Sequence, residues 1–242
     1  MFKKIVPITK EAHGNKKIKK IDTMKFTENI HISSIMMHEF ARASAIYPIV
    51  FLEDNNIQEF KPVVLLGLEA NENLFITEEG KWDASYLPAI IRRYPFALAR
   101  TDEDNRFTVC IDEESEAVNE EEGNALFNDE GEPTEFMEQV KQFLGELHTM
   151  EQITKNLCDF LKEKYMLTPL SMNVREENTV KRVAGAYVVN AERLNNFSDE
   201  DFLSLRHQNF LTPIYYHLAS LGQIERLGQF KDKKSKSVTH IE

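Results

Sequence analysis

The chain has 242 residues, with 40 acidic against 29 basic side chains and a formal net charge of -11. That balance argues against a nucleic-acid partner, because phosphate binding draws on clustered Lys and Arg. Here lysines cluster only near the ends, at Lys16, Lys17, Lys19 and Lys20 and at Lys231, Lys233, Lys234 and Lys236. Hydrophobic residues at 42% and charged residues at 29% exclude wholesale disorder.

Lys4 to Thr9 reads as a strand, followed by a polar turn at His13-Gly14-Asn15 and the alternation Lys17-Ile18-Lys19-Lys20-Ile21. Together these predict an edge hairpin whose lysines discourage intermolecular pairing. A helix capped by Ser33 or Ser34 is predicted to run toward Ile46, with Met36, Met37, Phe40, Ala41 and Ser44 on one face, and Pro48 ends it. Ile49 to Leu52 and Val63 to Leu68 form a hairpin around Glu53-Asp54-Asn55-Asn56, and Asn73 to Thr77 adds a short strand. Past Glu78-Glu79-Gly80, Ala89 to Arg93 suit a helix with Pro88 in its first turn; Pro95 stops it, and Phe96 to Leu98 continue as a buried strand. Met37 to Phe51 has the same order of helix, Tyr-Pro and strand, so these two units are expected to organise the core. A turn at Asp102-Glu103-Asp104-Asn105 leads to a further strand, Phe107 to Ile111.

Asp112 to Glu135 is strongly acidic and lacks Lys and Arg, which suits an exposed connection between a strand-rich and a helix-rich half. Pro133 and Thr134 open a long helix toward Lys164, whose Phe136, Val140, Phe143, Leu144, Leu147, Met150, Ile153, Leu157 and Phe160 keep a helical period. Such a helix would extend about 45 Å, across the domain or into a homodimer. Leu170 to Val174 and Val180 to Val189 predict a second hairpin around Glu176-Glu177-Asn178. Ser198 with Asp201 resembles a helix cap, and Thr212-Pro213 caps another helix with a stripe of Ile214, Leu218 and Leu221. The expected fold is α+β: a mixed or antiparallel sheet with hairpins, packed against several helices including one long central helix. It forms a single domain over 1–230, with a disordered polar tail over 231–242.

No apolar run approaches the roughly 20 residues of a membrane helix, and Ile5 to Ile8 is too short for a signal-peptide core. The expectation is therefore no integral membrane segment and cytoplasmic residence. Cys110 and Cys158 have no metal-binding or redox spacing and read as buried free thiols. His38-Glu39 would need a second histidine at i+4 to bind zinc, but that position is Arg42. The acidic segment lacks the glycine and glutamate of a calcium loop, and no activated-serine, P-loop or dinucleotide motif is present. No catalytic set, metal site or cofactor is assigned. The candidates for ligand or partner binding are Trp82, Tyr86, Arg92, Arg93 and Arg100, joined by His38, Glu39 and Arg42. Guanidinium and aromatic groups together suit a carboxylate, phosphate or peptide, although arginines in so acidic a chain can also pair with its own carboxylates.

The text Glu11-Ala12-His13-Gly14, His38-Glu39-Phe40-Ala41-Arg42-Ala43, Tyr47-Pro48-Ile49-Val50-Phe51, Trp82-Asp83-Ala84, Arg92-Arg93-Tyr94-Pro95-Phe96-Ala97-Leu98 and Cys110-Ile111-Asp112 resembles the SapC family, bacterial proteins of similar length named from surface-layer loci. The resemblance extends through Gly131-Glu132-Pro133 and Leu218-Ala219-Ser220-Leu221-Gly222, nearly the whole chain. It implies association with a surface layer or with the system that exports it, and it brings no catalytic residues. An accessory or binding protein acting through protein or peptide contacts is the expected function, with a surface-layer or export-system protein as partner; signal-independent export to the cell surface is left open. The alternative is an enzyme or small-ligand sensor that uses the arginine-aromatic segment 82–100.

Overall fold

A computed structural model describes residues 1–54, 56–100, 107–176 and 179–239. In chain order the first elements are β1 (Ile5–Pro7), α1 (Lys10–His13), β2 (Lys17–Ile18), β3 (Ile32–Ser34) and α2 (Phe40–Ala43), the last entered through a 3-10 turn over Met37–Glu39. The hairpin β4 (Ile49–Asp54) and β5 (Glu59–Leu65) follows, then α3 (Ala89–Arg92), β6 (Phe96–Arg100), β7 (Phe107–Asp112), β8 (Val118–Asn119) and β9 (Asn124–Ala125). The long helix α4 (Glu135–Glu163) leads to β10 (Leu167–Pro169), β11 (Met172–Glu176), β12 (Thr179–Val183) and β13 (Tyr187–Val189). The chain then closes with α5 (Ala191–Asn195), α6 (Asp199–His207), α7 (Leu211–Ser220) and α8 (Gln223–Thr239). This is an α+β fold with antiparallel strand pairing.

The largest sheet has the order β10-β13-β4-β5-β3, and a smaller one the order β1-β7-β6. The two Tyr-Pro units therefore serve different sheets: the first delivers β4 to the middle of the larger, the second delivers β6 to the edge of the smaller. Each sheet has its own apolar cluster. Phe40, Tyr47, Ile49, Phe51, Val64 and Leu66 centre the larger one, while Phe96, Ile111, Leu126 and Ile18 centre the smaller. Helix α4 ties them together, since Met137 and Leu144 from its first half belong to the smaller cluster and Leu157, Phe160 and Leu161 from its second half to the larger. Thr134 starts the helix by accepting a hydrogen bond from the Met137 amide at 3.3 Å. Midway along it, the Thr154 hydroxyl donates to the Met150 carbonyl at 2.7 Å and accepts from the Met37 amide at 2.9 Å, which pins α4 to the turn before α2.

Several expectations hold, among them the β4–β5 hairpin, α3 followed by β6, the long helix, the β11–β12 hairpin and the Ser198 cap, whose hydroxyl accepts from the Asp201 amide at 3.1 Å. Others do not. The expected N-terminal hairpin is absent because β1 pairs with β7 whereas β2 sits between β8 and β9. Ser33 and Ser34 lie in β3, where they pair with Val64 and Val63, and the helix begins later and shorter than its periodicity suggested. Asn73 to Thr77 forms no strand; Ile76 makes only an isolated bridge with Trp82. In α7 the cap position is Phe210 rather than Thr212, and Pro213 lies inside the first turn. The turns expected at 102–105 and around Glu177 and Asn178 lie outside the described residues.

The acidic segment is more than an exposed connection. It supplies β8 and β9, buries Ala117 and Leu126, and sets Glu120 2.6 Å from Lys16. Asn119 builds the turn between these strands: its side-chain carbonyl accepts from the Glu121 and Glu122 amides, both at 2.8 Å. Gly123 completes the turn at φ +102, where a Cβ would stand 2.2 Å from the Ile18 carbonyl oxygen. Helix α8 runs through Thr239. Lys231 reaches Glu69 at 2.6 Å, and Lys234 donates to the Ile76 carbonyl at 2.7 Å, so polar composition here marks a helix tied down by its lysines.

Candidate functional site

Glu39 is buried, and its carboxylate accepts from three donors: the Met36 amide at 2.8 Å, the Ala89 amide at 2.9 Å and the Tyr86 hydroxyl at 2.5 Å. One side chain thus caps its own helical turn and holds the start of α3. Around it, the Tyr47 hydroxyl donates to the Tyr86 carbonyl, and the Trp82 indole N–H lies 3.0 Å from both that carbonyl and the Tyr47 oxygen. Burial, with the Glu39 carboxylate beside it, pushes the Tyr86 hydroxyl above its ordinary value; burial does the same to Tyr47. The Arg42 guanidinium lies 5.5 Å from the Tyr86 ring centre and completes this cluster from outside. Trp82, Tyr86, Glu39 and Arg42 are therefore brought together, chiefly as a lock between α2 and the segment before α3. His38, one residue from Glu39, faces solvent.

The three arginines diverge from that lock. Arg93 and Arg100 line a cleft of about 540 Å³ between α4, the first half of β5 and β6. Its floor is apolar, with Ile35, Pro62, Leu98 and Leu147, and its rim carries His148, Glu151 and Lys155 from α4. Burial lowers the Arg93 guanidinium below its ordinary value, opposed by the charge of Glu151, and its Nε has no hydrogen-bond partner among the described residues. Lys155 is engaged, 3.0 Å from Glu59 and 2.9 Å from Asp159. The His148 ring lies tilted against Phe107, 4.2 Å between ring centres, and Phe107 is an exposed aromatic of β7 at the same rim. Cys158 also lines the cleft, and burial pushes its thiol up to about 12, which disfavours the reactive thiolate. Arg92 turns instead to a second cleft, its guanidinium 5.4 Å from the Phe143 ring centre.

His148, Glu151, Lys155 and Phe107 were not legible as site residues. The first three sit on the polar flank of a long amphipathic helix, which by sequence reads as solvated surface. A mixed-charge rim over an apolar floor can hold an amphipathic segment, with the arginines as carboxylate or phosphate seats. Among the described residues no group of three His, Cys, Asp or Glu is placed to hold a metal ion, and no helix is long and apolar enough to cross a membrane.

The stretch from Arg92 to Leu98 meets Cys110-Ile111-Asp112 at β6–β7, and there Asp112, wholly inaccessible, accepts from the Lys4 amide at 2.8 Å, the Lys3 amide at 3.0 Å and the Tyr94 hydroxyl at 3.2 Å. Burial alone would raise the Asp112 carboxyl, and these donors together hold it below its ordinary value. The SapC family profile matches residues 8–227. The chain belongs to the SapC family. No curated protein and no solved structure matches this SapC chain. The family match thus spans both apolar clusters, α4 and the cleft beside it, and stops within α8.

Proposed function

We propose that this SapC protein is an accessory binding protein of a bacterial surface-layer system, and that the cleft between α4 and β5–β6 receives a segment of its protein partner. The observation that carries this reading is Arg93, a largely buried guanidinium with an unpartnered Nε beside an apolar floor. A buried donor left without a partner costs roughly 1–3 kcal/mol, which an acceptor on a bound segment would recover. An exposed aromatic, Phe107, and apolar Leu147 supply the contact area that interfaces concentrate in a few residues. Family membership supports the surface-layer setting, and export-system proteins belong to the same class of partner.

Cell fractionation with affinity co-purification from the native organism tests the proposal. The wild-type chain should recover a surface-layer or export-system protein, and Arg93→Ala should reduce that recovery at least tenfold with thermal stability maintained. Exclusive recovery with an unrelated complex, or equal recovery by the variant, would overturn it. The cleft volume of about 540 Å³ also favours a second reading, a small-ligand sensor. A thermal shift with a metabolite that disappears in Arg93→Ala, without partner recovery, would select it.

A further inference from the structure

The second cleft has a different character. It has a volume of about 310 Å³ and opens where the two apolar clusters meet, with Ile91 and Phe26 on one side and Phe96 and Leu144 on the other. Aromatic rings form its walls: Phe26 stacks on Tyr94 at 4.3 Å between ring centres, and Phe96 lies 6.0 Å from Phe136. Its charged lining residues are Lys19, Arg92 and Arg93, and among the described residues no carboxylate lines it. In a chain with 40 acidic against 29 basic residues, an all-cationic rim around an apolar pocket runs against the general composition. Arg92 and Arg93 form no salt bridge with a described residue; they lie over the rings of Phe143 and Phe2 instead, at 5.4 and 5.8 Å. Lys19 meets Glu122 only at 4.0 Å, and the Glu122 side chain is exposed.

We infer that this cleft binds a small amphipathic monocarboxylate, its apolar chain or ring between the phenylalanine walls and its carboxylate at Lys19, Arg92 and Arg93. Three features set the class. The volume lies at the small end of ligand pockets, which suits one apolar chain rather than a two-chain lipid or a folded peptide. The walls are apolar and aromatic, so the stem gains by leaving water. The charge at the rim is of one sign, and guanidinium groups match a planar carboxylate through two parallel hydrogen bonds. This site does not depend on the partner-binding reading of the first cleft, although Arg93 borders both.

Calorimetric titration of the full chain with decanoate, decanol and decyltrimethylammonium tests the inference. Decanoate should bind at least tenfold more tightly than decanol, and the cationic amphiphile should not bind. Arg92 is exposed and Lys19 half-buried, so the pair Lys19→Gln and Arg92→Gln should keep the fold and weaken decanoate at least tenfold. Val140→Trp, which fills the cleft from α4, should abolish binding while leaving the partner recovery described above intact. Equal binding of decanol and decanoate, no decanoate binding below its micelle concentration, or unchanged affinity in the folded variants would overturn it.

Discussion

Glu39→Ala should cost roughly 3–5 kcal/mol of folding free energy, on the order of 10 °C in melting temperature. The substitution strands three donors in the interior at once: the Met36 and Ala89 amides and the Tyr86 hydroxyl. Each lost partner carries a desolvation penalty of about 1–3 kcal/mol, and the sum is less than additive because the freed Tyr86 can rotate toward solvent. Glu39→Gln should fall between alanine and wild type, since its carbonyl can still accept but its amide nitrogen must face a donor. Urea denaturation of the two variants and of Tyr86→Phe checks this. A loss below about 1 kcal/mol for Glu39→Ala would remove the carboxylate from its place at the centre of the core.

The second large effect belongs to His217, which lies wholly buried on α7. The Val189 amide donates to its Nε2 at 3.0 Å, so the ring proton sits on Nδ1 and is donated to the Ile49 carbonyl at 2.8 Å. The imidazole thus bridges β13 and β4, and Ser220 on the same helix accepts from the Ile49 amide at 2.9 Å. Burial drives the His217 pKa down to about 4, opposed by the hydrogen bond to Ile49. The unfolded chain takes up this proton near pH 6.5 and the folded chain only near pH 4, so the unfolded state binds more protons between those values. Stability is therefore fully present above about pH 6.5 and falls as the pH drops toward 4, by up to about 3 kcal/mol from this residue. Denaturation midpoints at pH 7, 5.5 and 4.5 should show a steeper acid loss for the wild type than for His217→Gln. His217→Leu, which orphans the Val189 amide and the Ile49 carbonyl together, should cost about 2–5 kcal/mol already at pH 7. Parallel acid profiles for wild type and His217→Gln would contradict the assignment.

What the sequence made legible was local. Pro88 and Pro95 bracket α3 and hand the chain to β6, and the period from Phe136 to Phe160 announces α4, because dihedral limits and helical spacing act over a few residues. Partner choice between strands was not legible. β1 meets β7 about a hundred residues later, and nothing in Ile5-Val6-Pro7 distinguishes that pairing from a hairpin with Lys17-Ile18. The same holds for Ser33, whose capping chemistry is outweighed by a place in β3 beside Val64. Charged runs also find opposite charges within the fold, as Glu120 finds Lys16 and Lys231 finds Glu69.

The candidate site divided along the same line. Trp82, Tyr86, Glu39 and Arg42 were singled out as unusual residues and do converge, but on a buried lock whose first consequence is the position of α3. Arg93 and Arg100 leave that lock for the cleft, where α4 supplies residues from about fifty positions further along the chain. Their neighbours in that cleft, His148 and Glu151, could be named only once the path of α4 across both clusters was known.

The proposed binding role is tested most directly by photocrosslinking from Gln152, an exposed residue of α4 on the rim of the first cleft. With a photoreactive side chain placed there in the native organism, an adduct to a surface-layer or export-system protein should form and should disappear when Arg93→Ala is added. An adduct of equal yield in the Arg93→Ala background, or none from Gln152 while Tyr215 on α7 gives one, would contradict it.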